Sequence, residues 1–296
     1  MHAEPVTVAV PFYRGPDYLR RAIASVHRQS DPNWRLVVCD DGPDPAIRQL
    51  VETGDARVRY LRNEHNLGMA GNWNRCLDVA ETELVNLLHA DDELLPNYVA
   101  VMRDAAGRFP DAAAYFCRAK VIDAADRDTF SAVDFVKRFL QPKAAGPLVL
   151  RGRSAVEALM HGDFIMCPTV CYRRSRLPLE RFRDRWRMVL DLDFFTRLLF
   201  AGETMVGLPE TAYAYRRHPE NATTAYTESL LRFDEESRLH DVVAAEARAR
   251  GWESAARVAE RKRVIKLHLL FRTGVDVMSG RFRAAGQKWR FLRGIK

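Results

Sequence analysis

Two adjacent carboxylates, Asp91 and Asp92, lie just after a short apolar run over residues 84–88. The run predicts a buried strand, from which only His89 and Ala90 separate the two acids. A buried carboxylate needs a partner, whereas Mg²⁺ and Mn²⁺ prefer oxygen ligands and commonly join a protein carboxylate to substrate phosphates. The pair therefore indicates a divalent-cation site; the alternative is a solvated turn that caps the following helix.

A second acidic pair, Asp40 and Asp41, ends another predicted strand over residues 36–39. Ligands of parallel α/β sheets bind beyond the carboxyl ends of the strands, so we expect Asp40 and Asp91 to line one crevice. The segment after the first predicted strand, residues 11–15, reads Pro-Phe-Tyr-Arg-Gly and contains neither a dinucleotide fingerprint nor a phosphate-binding loop. A bound phosphate would therefore be held by a cation and by side chains.

Strand and helix patterns alternate over roughly the first 117 residues, which predicts right-handed crossovers and a mostly parallel sheet. The predicted strands cover residues 6–10, 36–39, 58–61, 84–88, 113–117 and 169–172, and the predicted helices cover residues 18–28, 69–79, 97–109, 154–160 and 187–200. Residues 126–153 lack periodicity and contain proline and glycine, which predicts an irregular segment over the site. Beyond Pro219 the sequence is charged and predicts helices to the end.

The chain has 296 residues, of which 47% are hydrophobic, enough for one large domain with a core and an extension. It contains no stretch near the roughly 20 apolar residues of a membrane span. Its first residues lead directly into a strand, so we expect no signal peptide. Five cysteines, none in a Cys-x-x-Cys pair, are typical of reduced, buried thiols in a cytoplasmic protein.

Charge is distributed unevenly along the chain. The net charge is +7, but residues 257–296 carry twelve Lys and Arg against two acids, a local charge of +10 that leaves −3 for the rest. Trp289 and Phe291 lie among these basic residues, a combination that suits an anionic membrane surface. A solvated helical face and nucleic-acid binding are the alternatives for this tail, and we expect no nucleic-acid partner.

Taken in order, these motifs resemble those of the inverting glycosyltransferases of family 2, which have the GT-A fold. The resemblance covers residues 6–224, and the matching segments are residues 8–13, 18–26, 36–42, 66–68 with Asn74, 89–92, 190–193 and 215–223. Four positions depart from the family pattern: Arg14 replaces Asn, Pro43 replaces Ser, His89 replaces the first acid of the Asp-x-Asp motif, and Leu190 replaces Glu. The order and spacing of the motifs carry the resemblance, because each motif alone is weak.

The resemblance implies transfer of a sugar from a nucleoside diphosphate to an acceptor hydroxyl, with a role for each matching residue. It assigns nucleotide binding to Pro11, Tyr13, Asp40, Asn66, Gly68, Asn74 and Ala90, a cation (Mn²⁺ or Mg²⁺) to Asp91, Asp92 and His218, and diphosphate or acceptor contacts to His89, Arg216 and Arg217. Asp40 would accept a hydrogen bond from N3–H of uracil or thymine; its alternative is a helix cap. Asp191 is the expected general base, with a favourable charge at a helix start as the alternative. Asp193 is expected to hold structure by pairing with an Arg.

The sequence therefore predicts an α/β protein with a Rossmann-like, mostly parallel GT-A sheet flanked by helices and a basic helical C-terminal extension. Residues 1–225 are the expected glycosyltransferase domain, with a nucleotide-sugar half over about 1–117 and an acceptor half over about 118–225, and residues 226–296 are the extension. The expected enzyme is cytoplasmic, peripheral at the inner face of the membrane, and moves a sugar from a UDP- or dTDP-sugar to a saccharide or lipid-linked acceptor in polysaccharide, glycolipid or glycoconjugate biosynthesis. A metal-dependent nucleotidyltransferase and a non-catalytic nucleotide-sugar-binding protein are the alternatives.

Overall fold

The computed structural model of the protein describes residues 4–130, 140–218 and 226–295. The strands in these ranges are β1 (Val6–Phe12), β2 (Trp34–Asp40), β3 (Val58–Arg62), β4 (Leu84–Leu87), β5 (Glu93–Leu94), β6 (Ala114–Ile122), β7 (Leu148–Arg151), β8 (Cys171–Arg173) and β9 (Thr204–Arg216). The helices are α1 (Pro16–His27), α2 (Ile47–Val51), α3 (Gly68–Val79), α4 (Tyr98–Arg108), α5 (Gly152–His161), α6 (Leu190–Phe200), α7 (Leu231–Ala249), α8 (Glu253–Arg261), α9 (Arg263–Met278) and α10 (Phe282–Gly294).

The strands join one sheet in the order β3-β2-β1-β4-β8-β6-β9-β5, with β7 paired to β9. The first four strands in this order are parallel, as their alternation with helices predicts. Farther along, β8, β5 and β7 run antiparallel to their neighbours, whereas β6 and β9 pair in parallel. The sheet is therefore parallel in its N-terminal half and mixed beyond it.

Helices cover both faces of the sheet, because successive side chains of each strand point to opposite faces. Val8, Val10 and Val38 belong to a buried cluster with side chains of α1, α2 and α4. Ala9 and Val37, one position away, belong to a second cluster with side chains of α3, α5, α6, α7 and α8. Because helices cover both faces, a ligand can reach the sheet at the carboxyl ends of β1, β2 and β4, where polar residues follow the strands.

The sequence pattern does not predict the 13-residue strand β9. The reason is visible in its burial, since buried residues flank an exposed stretch at Pro209, Glu210 and Thr211. There the pairing with β6 shifts register near Arg118, which breaks the period of two that identifies a strand. The short strand β7 likewise lies inside the segment expected to be irregular.

The first half of the C-terminal extension shares the core of the rest of the protein. Leu239 and Val243 of α7 and Ala255 and Ala259 of α8 belong to the same buried cluster as the side chains of α5 and α6. The predicted domain boundary at residue 225 lies outside the described residues. The remaining two helices, α9 and α10, pack against each other.

Two further expectations concern the chain as a whole. All five cysteines are buried free thiols, as predicted. Within the described ranges, no helix combines the length and the apolar composition that a membrane span requires.

Candidate active site

A cavity of about 720 Å³ opens at the carboxyl ends of β1 and β4. It brings together most of the residues that the sequence motifs single out. Those that line it are Pro11, Tyr13, Asn66, Gly68, His89, Ala90, Asp91, Asp191, Arg217 and His218. Asp91 and Asp191, far apart in the sequence, therefore face one cavity.

Asp91 contributes the accessible carboxylate of the candidate metal site. Its Oδ2 lies 3.0 Å from Nε2 of His218, whose ring stacks on Tyr18 with centroids 5.0 Å apart. Burial opposes ionisation of Asp91, but the hydrogen bond with His218 and the interaction with His89 bring its pKa below the ordinary value. Asp91 is therefore an anion at neutral pH, as a cation ligand must be.

His89 provides the test of whether the cluster fits a metal ion. Ligand atoms of His89, Asp91 and Asp92 all lie within 4.8 Å of one another. Nε2 of His89 is buried and has no hydrogen-bond partner among the described residues. Burial also lowers the pKa of this imidazole, which keeps it neutral and able to offer a lone pair. A buried ring nitrogen without a partner beside a carboxylate fits a divalent cation.

Asp92, the neighbour of Asp91, is bound into the scaffold. It is 1% exposed, its Oδ1 accepts a hydrogen bond from the backbone N–H of Arg216 at 2.7 Å, and its Oδ2 accepts one from the hydroxyl of Tyr213 at 3.0 Å. Burial and the charge of Asp91 raise the pKa of Asp92 well above its usual range. Both oxygens thus join the segment between β4 and β5 to β9, and the expected role of Asp92 as a cation ligand stays a prediction.

Arg216 does not contact the cavity. Its guanidinium is fully buried and donates to the carbonyl of Asp91 at 2.7 Å, to the carbonyl of Asp123 at 2.9 Å and to Oε1 of Glu93 at 2.7 Å. The expected phosphate contact of Arg216 is therefore corrected, because its donors join the segment around β5 to the loop after β6. Arg217, the next residue, lines the cavity instead.

Asp40 is also a scaffold residue. It is fully buried, its Oδ2 accepts a hydrogen bond from the hydroxyl of Tyr60 at 2.6 Å, and its Oδ1 accepts one from the N–H of Gly42 at 2.8 Å. Burial and the bond to Asp40 raise the pKa of Tyr60 to about 12. The expectation that Asp40 lines the crevice is corrected, since Asp40 is absent from the cavity wall.

Asp41 takes the position that was expected for Asp40. Its carboxylate lines the cavity and accepts hydrogen bonds from the backbone N–H groups of Leu67 at 2.8 Å and Gly68 at 3.0 Å. These bonds fix the turn that begins α3 beside the end of β2. The two strand-end carboxylates that share the cavity are thus Asp41 and Asp91.

The two asparagines of the next motif have different positions. Asn66 donates to the carbonyl of Asp41 at 3.0 Å and accepts from the N–H of Gly68 at 3.1 Å, so it stabilises the cavity-lining turn. Asn74 binds the backbone of Phe182 with both amide atoms, at 2.8 Å and 3.0 Å, and lies on a different cavity. The structure therefore corrects the expected nucleotide contact of Asn74, because both of its amide atoms are bonded to the backbone of Phe182.

Helix α6 separates its two acids. Asp191 lines the cavity, and its Oδ1 accepts the N–H of Leu192 at 2.9 Å. Asp193 is 1% exposed, accepts a hydrogen bond from Nε of Arg197 at 2.8 Å and lies within ion-pair distance of Arg183 and Arg185. The pairing of Asp193 with arginine is confirmed.

Sequence reasoning misses the part of the cavity wall that comes from the C-terminal extension. Arg232 and Glu236 of α7 line the cavity, together with Arg187 from the loop before α6. Their charged helix has the composition of a solvated surface, so no local pattern identifies them. Their role depends on the packing of α7 against the core.

The family model described as Glycosyl transferase family 2 matches residues 7–160, just over half of the chain. The protein belongs to this family, and its sheet and flanking helices have the GT-A fold.

Similar proteins agree with this assignment. An uncharacterised protein of Mycobacterium tuberculosis is 28% identical over 207 residues, which are 66% of this chain and 61% of that protein. The UDP-Glc:alpha-D-GlcNAc-diphosphoundecaprenol beta-1,3-glucosyltransferase of Escherichia coli is 33% identical over 93 residues, 31% of this chain and 37% of that protein. The matched regions thus span between about a third and three fifths of these relatives.

Solved structures extend the likeness in fold. S. aureus TarS 1-349 in complex with UDP-GlcNAc matches with a TM-score of 0.60 and 19% identity, over 82% of this chain and 66% of that chain. GalNAc-T7 with UDP, GalNAc and Mn²⁺ matches with a TM-score of 0.55 and 14% identity, over 74% of this chain and 45% of that chain.

Proposed function

We propose that the protein is an inverting glycosyltransferase that moves a sugar from a UDP- or dTDP-sugar to an acceptor hydroxyl. The observation that carries the proposal is that Asp91 and Asp191 line one cavity. An inverting transfer needs charge neutralisation at the diphosphate and a base at the acceptor. Asp91 would bind the cation at the diphosphate, and Asp191 would be the base. The shared cavity favours an enzyme over a non-catalytic binding protein.

The donor nucleotide lies along the edge formed by β1, β2 and the start of α3. Pro11 and Tyr13 form one wall, and Asn66 and Gly68, held by Asp41, form the other. The exposed ring of Tyr13 is available to pack on a base, since 54% of the residue is accessible. Ala90 also lines the cavity and is proposed to contact the donor nucleotide.

The diphosphate lies beside His89, Asp91, Arg217 and His218. Mn²⁺ or Mg²⁺ held by Asp91 with His89 and His218 would neutralise charge that develops on the leaving diphosphate. Arg217 adds a positive charge to the cavity lining, which would also stabilise the leaving diphosphate.

Asp191 is the proposed base for the acceptor. Its carboxylate takes the proton of the acceptor hydroxyl as that oxygen forms a bond to the anomeric carbon. The bond from that carbon to the diphosphate oxygen breaks at the same time, and its electron pair leaves with the diphosphate. Attack opposite the leaving group inverts the configuration.

The acceptor is proposed to be a lipid-linked saccharide in cell-envelope polysaccharide or glycoconjugate synthesis. The names of the Escherichia coli relative and of a Campylobacter jejuni relative both include an undecaprenol-linked diphosphate acceptor. Residues 1–225 are the proposed catalytic domain, with donor and acceptor halves that meet near residue 117.

An anionic membrane is the proposed partner of the extension. Seven of the thirteen exposed large apolar side chains in the described residues lie within residues 267–289: Leu267, Leu270, Phe271, Val277, Met278, Phe282 and Trp289. This segment lies in the region with a local charge of +10. Apolar side chains among basic ones suit the surface of an anionic bilayer.

The test is calorimetry of UDP binding, followed by a nucleotide-sugar panel scored for hydrolysis with Mn²⁺. We expect UDP to bind more tightly with Mn²⁺ than in EDTA, and Asp91→Ala to remove that difference. Asp104→Ala, which changes an exposed acid on α4, is the matched control. Equal affinity in EDTA, or an unchanged Mn²⁺ effect in Asp91→Ala, would contradict the proposed metal site.

A further inference from the structure

A buried carboxylate of the C-terminal extension contacts the loop that leads to the proposed base. Glu235 lies near the start of α7 and is 3% exposed. Its Oε2 accepts the backbone N–H of Met188 at 2.7 Å, and both its oxygens accept the N–H of Arg187, at 3.1 Å and 3.0 Å. Helix α6 begins only two residues later, and Asp191 lies in its first turn.

A buried carboxylate is unfavourable unless hydrogen-bond donors replace the water that it loses. Burial removes a carboxylate from water, and charge-assisted hydrogen bonds from two backbone N–H groups replace that hydration here. Arg187 and Met188, whose N–H groups supply those bonds, both line the cavity. Glu235 thus fixes the backbone of a segment that is itself part of the site.

A second contact from the same helix braces the same loop. The guanidinium of Arg238, nearly one turn beyond Glu235, lies over the ring of Trp186 at 5.3 Å. Trp186 is buried and immediately precedes the two residues that Glu235 binds. Helix α7 therefore holds three consecutive residues ahead of α6 by two independent interactions.

We infer that Glu235 is a positioning residue for glycosyl transfer, through which the C-terminal extension sets the place of Asp191 relative to the acceptor hydroxyl. Because Asp191 is the base only under the proposed function, this assignment rests on that function. A displacement of about 1 Å in a catalytic group can cost on the order of 10²-fold in rate. The extension is thereby part of the catalytic apparatus.

The main test compares Glu235→Gln with Glu246→Gln, which makes the same change at an exposed position of α7. Glutamine keeps one accepting oxygen but turns an N–H₂ group toward the donors of Arg187 and Met188. We expect kcat to fall about 10- to 100-fold, with the affinity for UDP and the KM for the donor unchanged. Weaker UDP binding or a higher donor KM in a Glu235→Gln protein that remains folded would overturn the inference.

A double-mutant comparison shows whether Glu235 acts through Asp191 or affects the rate independently of it. In the Asp191→Asn background, we expect Glu235→Gln to reduce the residual rate less than about 2-fold, because a misplaced group that is no longer a base costs little. Equal fold-losses in both backgrounds would overturn the inference. If Asp191→Asn keeps the wild-type kcat, the proposed base is wrong and the inference falls with it. If Asp191→Asn is impaired while Glu235→Gln matches Glu246→Gln, the assignment of Glu235 alone is wrong.

A measurement on the unaltered protein covers the case in which Glu235→Gln does not fold. Amide hydrogen exchange of Arg187 and Met188 reports directly on the two bonds to Glu235. We expect both amides to be protected to the level of the α6 backbone. Exchange as fast as that of an exposed loop would overturn the inference.

Discussion

At the scale of single residues, three acidic pairs divide into one cavity residue and one scaffold residue each. The cavity-lining members are Asp41, Asp91 and Asp191, and the buried members that do not line it are Asp40, Asp92 and Asp193. Each buried member satisfies its oxygens with hydroxyl, backbone or arginine donors, as a buried carboxylate requires. Two acids close in sequence therefore have distinct effects when they are removed.

The pair on α6 makes this distinction measurable. We expect Asp191→Asn to lower kcat by about 10²- to 10⁴-fold without loss of stability, since general-base catalysis contributes that much. We expect Asp193→Asn to lower the free energy of unfolding by about 3 kcal/mol, because it leaves the guanidinium of Arg197 partly buried without its charge partner. Steady-state kinetics and urea denaturation of both variants test this. A similar destabilisation by both substitutions would contradict the assignment of roles.

At the scale of elements, the helices of the extension differ in how they are anchored. Helices α7 and α8 bury apolar side chains in the main core. Helix α9 has a small contact of its own, in which Ile265 and Leu269 pack with Phe233 of α7. His268 lies edge-on to the same Phe233 ring, with centroids 5.1 Å apart. The packing of α9 in this small cluster is therefore sensitive to the charge of His268.

We expect the stability of this cluster to fall in acid. Burial lowers the pKa of His268 from 6.5 to about 4, so the unfolded chain binds a proton that the folded chain does not. The contribution of neutral His268 to the free energy of unfolding is therefore fully present above about pH 6.5. It is lost as the pH falls toward 4, which lowers the free energy of unfolding by up to about 3 kcal/mol. Urea denaturation between pH 4 and 7 measures this decline, which we expect His268→Gln to reduce. His65→Gln, at an exposed position, should retain the full decline; equal curves for both variants would contradict the prediction.

At the scale of the whole molecule, apolar and basic side chains concentrate on the α9–α10 pair. Leu267, Leu270, Phe271 and Met278 follow the spacing of one helical stripe along α9. Asp276 joins the two helices through Lys288 at 2.6 Å and fixes how they face each other. This surface lies in the part of the chain where the positive charge is concentrated, residues 257–296.

We expect the full-length protein to co-sediment with anionic vesicles and to be released by salt. Each Lys or Arg near such a surface contributes about 1 kcal/mol before screening. Leu267→Ser, Phe271→Ser and Phe282→Ser, combined in the full chain, should weaken binding, whereas Leu179→Ser, an equally polar change elsewhere on the surface, should not. Substitutions in the full chain are preferred to removal of the basic tail after Ala256, because that truncation would divide α8 within the shared core. Equal sedimentation of all forms would contradict the membrane proposal.

The sequence by itself determined the α/β class, the parallel N-terminal strands, the acidic strand ends and the basic tail. These features follow from local periodicity and composition, which depend on neighbouring residues alone. It also located α6 and the two acids at its start, although the predicted helix begins at Arg187 and the observed one at Leu190.

The tertiary structure decided which polar groups face the cavity. Asp40 is held away from the cavity by its bond to the hydroxyl of Tyr60 on β3, a partner that no local pattern identifies. Arg216 binds two segments, residues 91–93 and the loop after β6, that meet only in the fold. Glu235 is likewise indistinguishable from its charged neighbours until α7 packs beside the loop before α6. Periodicity specifies elements, whereas the partner of a buried charge comes from a distant segment, and only packing brings the two together.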